Sequence, residues 1–143
     1  MLLRELFNSN RSLPLEWDQD SAPDYIVARA YDRQGRLIEV NFNYNSDGQL
    51  DIEFQRGGSM NTTGHGDELI VFGTVMNAIN EYMNQRGDTV DIVYFNGAAD
   101  RQALYSKLAH RLGQQYGFHR AARPTGSVFK MVRNAQPKMA SAA

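Results

Sequence analysis

The sequence predicts an α+β fold, an α/β mixed sheet in which a three-strand antiparallel meander is followed by α-β-α-β within one domain, residues 25–133. Three observations predict it. Apolar and polar residues alternate with period two from Tyr25 to Arg56, broken by short glycine-containing turns. Near Gly66 the rhythm changes to the three-and-four spacing of an amphipathic helix. A short, nearly unbroken apolar run, Val90–Phe95, then separates that helix from a second one, as expected of a strand covered on both faces.

Residues 1–8 read as a short amphipathic segment, with Leu2, Leu3, Leu6 and Phe7 on one face, and residues 9–24 as an irregular connection that Trp17 can pin to the domain. The first strand is Tyr25–Tyr31. Asp32-Arg33-Gln34-Gly35 turns the chain, with glycine where a positive φ is cheap. In the second strand, Arg36–Tyr44, the set Ile38, Val40, Phe42 and Tyr44 opposes Leu37, Glu39, Asn41 and Asn43. After Asn45-Ser46-Asp47-Gly48, the third strand Gln49–Arg56 sets Leu50, Ile52 and Phe54 against Asp51, Glu53 and Gln55. Arg56–Gly66 is a polar, glycine-rich loop. From Asp67, the positions Leu69, Phe72, Val75, Met76, Ile79, Tyr82 and Met83 form a helical stripe that stops at Arg86-Gly87, and Asp67 and Glu68 suit the positive end of its dipole. Asp100–Tyr116 is a second helix ended by Gly117, and Ser127–Val132 is a final strand. The patternless tail 134–143 is expected to be disordered.

At 143 residues the chain has the length of one ordinary domain, and it contains no cysteine. That excludes disulfides, thiolate metal sites and a cysteine nucleophile. The formal net charge of −1 argues against a protein that grips nucleic acid through phosphates. Of the 15 basic residues only Lys107, Lys130 and Lys138 are lysines. Arg111, His119, Arg120 and Arg123 form a basic stretch that can face an acidic partner, or simply a solvated helix end. No apolar run reaches the roughly 20 residues of a membrane span. The expectation is a soluble protein without a membrane partner. No histidine and carboxylate spacing suggests a metal site, and none suggests a serine–histidine–aspartate nucleophile.

The segment between the third strand and the first long helix reads Asn61-Thr62-Thr63-Gly64-His65-Gly66-Asp67. Two glycines one residue apart, leading into a helix N-terminus, can converge backbone N–H groups on a pyrophosphate; the alternative is a flexible connection. With the element order above, this segment resembles the pyrophosphate-binding loop of the GNAT family of N-acetyltransferases, Q/R-x-x-G-x-G/A, with Asn61 in place of Gln or Arg. Leu104-Tyr105 and Gly117-Phe118 are similar to motifs at the end of that family's core. The resemblance implies a GNAT-like fold, acetyl-CoA as acyl donor and N-acyl transfer as activity. It places Asn61, Thr63, Gly64, His65 and Gly66 at the pyrophosphate, and the backbone of Phe54–Arg56 beside the thioester. It makes Tyr105 the acid that protonates the departing thiolate.

Transfer to an amine also needs a base. Glu53, on the polar face of the third strand, can act directly or through water; the alternative is a solvated strand carboxylate. Tyr105 can equally be a packed helix tyrosine, and His65 an exposed loop histidine. A second resemblance, to small bacteriophage proteins, rests on Thr63–Gly66, Val71–Val75, Arg101–Leu108 and the opening Met1–Phe7. It implies a non-catalytic virion component or host-interaction protein, located in the virion or the host cytoplasm. A helix as short as residues 1–8 is unstable alone and can dock on a protein partner, or pack on its own domain.

Overall fold

A computed structural model gives the fold. It describes residues 13–22, 24–32, 34–45, 47–56, 65–96, 102–121 and 129–135. The strands are β1 (Glu16–Ala22), β2 (Tyr25–Tyr31), β3 (Leu37–Tyr44), β4 (Gln49–Arg56), β5 (Ile92–Asn96), β6 (Phe118–Ala121) and β7 (Phe129–Arg133). The helices are α1 (His65–Arg86) and α2 (Gln102–Tyr116). All seven strands form one sheet in the order β1-β2-β3-β4-β5-β7-β6. β1 to β4 are successive antiparallel neighbours, β4 and β5 are parallel, and β7 is antiparallel to both β5 and β6.

This arrangement corrects the expected one. A GNAT-like fold built from a three-strand meander and α-β-α-β requires five strands in that order, whereas the described residues form a seven-strand mixed sheet with two helices, a different arrangement. Two strands escaped the sequence reading. β1 lies in the stretch read as an irregular connection, because its Asp18-Gln19-Asp20-Ser21 core lacks apolar alternation and its register shifts between Asp18 and Ala22. β6 is only four residues long and follows Gly117 without a spacer. β5 also differs, since Val93 and Phe95 are buried while Ile92 and Tyr94 are half-buried, so only one of its faces is sealed.

Both helices cover the same face. Alternation along the strands sends Ile38, Val40, Phe42, Leu50, Ile52, Phe54, Val93, Phe95, Phe129 and Met131 to that side, and all are buried. Phe42 stacks on Tyr82 of α1 at 4.5 Å between ring centroids, and Phe54 lies 5.2 Å from Tyr105 of α2. Trp17 of β1 joins the layer, 5.8 Å from Phe42. Just before β1, the Leu13 N–H donates to the hydroxyl of Thr74 at 3.0 Å, satisfying a fully buried polar group of α1. The other face carries Glu39, Asn41, Asn43, Asp51, Glu53, Gln55 and Tyr94, none of them fully buried. Arg29 crosses it, bonded to Asp18 and Glu39 at 2.9 Å each, and both contacts raise its pKa above the ordinary arginine value.

Two backbone junctions set the crossover. Gly48 has φ +84°, and its carbonyl accepts the N–H groups of Asp91 at 2.8 Å and Ile92 at 3.1 Å, which aligns β5 on β4. Arg133 reaches back to the chain after α1, donating from Nε to the Val90 carbonyl at 2.8 Å and from its terminal nitrogen to the Gly87 carbonyl at 2.6 Å.

Candidate functional site

In sheets with parallel strands, ligands gather outside the strands' carboxyl ends, where crossover helices begin. Here that place is the end of the β4–β5 pair. The parallel ladder runs from Gln49 opposite Ile92 to Glu53 opposite Asn96. β4 goes on through Phe54, Gln55 and Arg56, still paired with Val40, Glu39 and Ile38 of β3 on its other side. Among the described residues, these three have no ladder partner on the β5 side. α1 starts after β4 and returns to β5, and α2 starts after β5, so both helix N-termini lie at this end of the sheet. Their leading N–H groups and positive dipole ends favour an anion there.

Tyr105 closes the floor of this site. Its side chain is fully buried, and its hydroxyl donates to the backbone carbonyl of Asn96 at 2.6 Å. Its ring lies against Phe54 at 5.2 Å and Phe95 at 6.2 Å. Glu53 stands on the opposite, polar face of the same strand and is exposed; its register partners are Asn41 on β3 and Asn96 on β5. Beside it, Gln55 donates to Glu39 at 3.2 Å, and Asn41 accepts from the Tyr25 hydroxyl at 3.1 Å. Glu53 and Tyr105 thus flank one point of the sheet from its two sides and meet through Asn96.

Of the residues expected to hold a cofactor, Phe54 is buried against Tyr105, and Arg56 is the last residue of β4. Asn61, Thr63 and Gly64 lie outside the described residues, as do residues 1–8. His65 and Gly66 are not in a loop: they are the first two residues of α1, which begins before Asp67. Asn96 escaped the sequence reading. An isolated Asn after an apolar run gives no sign of ending a parallel ladder, which only the register shows. Among the described residues no group of three or more His, Asp or Glu side chains could hold a metal ion, and no helix is long and apolar enough to cross a membrane.

Against known proteins, no protein-family model matches the chain, and no curated protein matches it significantly.

Proposed function

We propose that the protein binds an acyl-CoA at the end of the β4–β5 pair, beside Glu53 and Asn96, and transfers the acyl group to an amine. The supporting observation is that, among the described residues, β4 continues for three residues past its last pair with β5, Glu53 opposite Asn96. The backbone of Phe54–Arg56 can there take the amide groups of a pantetheine arm as an added strand. From the polar face, Glu53 accepts the proton the amine loses as its nitrogen bonds to the acyl carbon. From the helix face, Tyr105 gives a proton to the sulfur as the carbon–sulfur bond breaks, and regains it from solvent. To do so its hydroxyl must turn away from the Asn96 carbonyl. The helix N-termini suit the phosphates of the nucleotide end.

A second reading has its own support. A tyrosine that is fully buried and bonded to a backbone carbonyl is well suited to a purely structural task. On that reading the chain is a non-catalytic protein, a virion component or host-interaction protein, that docks on a partner through residues 1–8. Calorimetry of the full-length protein with acetyl-CoA separates the two. Saturable binding supports the acyl-CoA reading. No binding at about 10 mM ligand, above the usual range of substrate constants, removes it.

A further inference from the structure

At the far edge of the sheet, α2 and β6 form a wedge whose apex is Gly113. A side chain at Gly113 would place its Cβ 2.6 Å from the Phe118 carbonyl, so helix and strand touch there with no room to spare. Away from that contact they border a solvent-open pocket of about 380 Å³, within the range of small-molecule sites. One face of α2 lines it, Ser106, Ala109, His110 and Gln114, at the three-and-four spacing of a helix. The floor is apolar, because Ala109, Phe118 and Met131 are all buried.

The polar part of the lining is one-sided. Arg120 lies on the helix side of β6, opposite Met131 in register, with its guanidinium 4.3 Å from the centre of the Phe129 ring. Among the described residues it makes no ion pair, and the described lining contains no carboxylate. His110 is exposed at the rim. His119 belongs to the other face, where its Nδ1 lies 2.6 Å from the Asn134 side-chain oxygen, so it brings backbone rather than imidazole to the cavity. Arg111 is also turned away, toward Phe72 of α1. A cation laid on an aromatic ring, over an apolar floor, with a hydroxyl and an amide alongside, complements an anionic group attached to an apolar body. Arginine presents paired N–H donors that match a carboxylate.

We propose that the α2–β6 cavity binds a small organic carboxylate with an apolar body, held at its charged end by Arg120 and at its apolar end by Ala109, Phe118 and Met131. This site is separate from the end of the β4–β5 pair and does not depend on acyl transfer. The experiment is an amide-resolved NMR titration of the full-length protein with benzoate, with neutral benzamide and inorganic phosphate as further probes. Benzoate should saturate, shifting the amides of Ser106–Gln114 and Phe118–Arg120. Benzamide and phosphate should each bind about tenfold more weakly, since each lacks one of the two complementary parts. Arg120→Gln, checked for an unchanged circular dichroism spectrum, should weaken benzoate about tenfold and leave benzamide as it was. Met131→Gln should weaken benzoate and benzamide alike. The proposal is overturned by no saturation at about 20 mM benzoate, by shifts that map elsewhere, by phosphate binding as well as benzoate, or by unchanged benzoate affinity in a folded Arg120→Gln protein.

Discussion

Tyr105 donates its phenolic hydrogen to the carbonyl of Asn96 at 2.6 Å, and Asn96 is the last described residue of β5 to pair with β4. A helix side chain therefore satisfies a backbone group at the last described pair of the parallel ladder. Tyr105→Phe keeps the ring packing and removes this bond, so it should cost about 1–2 kcal/mol in urea unfolding. Tyr105→Ala also empties a buried site between Phe54 and Phe95 and should cost about 3–5 kcal/mol. If Tyr105 supplies a proton in acyl transfer, Tyr105→Phe should lower kcat about a hundredfold with KM for acetyl-CoA little changed. A loss confined to stability counts against that role.

Glu53 is exposed and lies on the polar face. Glu53→Gln should shift stability by less than about 0.5 kcal/mol, as surface changes usually do. In a thiol-release assay with an amine acceptor it should reduce kcat about a hundredfold or more. Wild-type turnover in the variant would remove Glu53 as the base.

Arg133 joins β7 to the end of the α1 segment through the carbonyls of Gly87 and Val90. Arg133→Met removes the guanidinium that lies 4.7 Å over the Phe118 ring together with its bonds to both carbonyls, of which that of Gly87 keeps the Val90 N–H. The expected loss is about 2 kcal/mol, seen as a fall in Tm of about 6 °C. Lys at this position should restore little, because an ammonium cannot span both carbonyls from one planar group.

Burial raises the pKa of Tyr82 and of Tyr116 above the ordinary value of 10.0. Tyr116 also donates to the Asn80 side-chain oxygen at 2.8 Å, a bond that its ionised form cannot make. Above pH 10 the unfolded chain releases these protons before the folded one does, so stability should fall as pH rises through the raised values. Urea midpoints between pH 8 and 11 should drop less steeply in Tyr82→Phe than in the wild type. Parallel curves would refute this.

The strands of the meander were readable because Ile38, Val40 and Phe42 alternate with polar residues, and a strand with one wet face leaves that mark in the sequence. β1 was not readable, since Asp18 and Arg29 hold it by an ion pair across strands rather than by an apolar rhythm. The fold class failed for a related reason: periodicity shows which residues are buried, but not that two helices share one face or that β6 forms the far edge. At the candidate site, Glu53 and Tyr105 were legible as residue types in plausible elements. Their placement on opposite sides of the sheet follows from the register of β4, and Asn96 between them follows from where that register stops.

The carbonyl of Gly48 belongs to a tight bend between neighbouring strands, yet it holds the amides of Asp91 and Ile92, where a strand begins forty-odd residues later. One peptide unit thereby fastens the locally built part of the molecule to the part that depends on distant contacts. Unravelling of that bend must release the start of β5 with it, so signals from the two regions should disappear together when the protein is denatured.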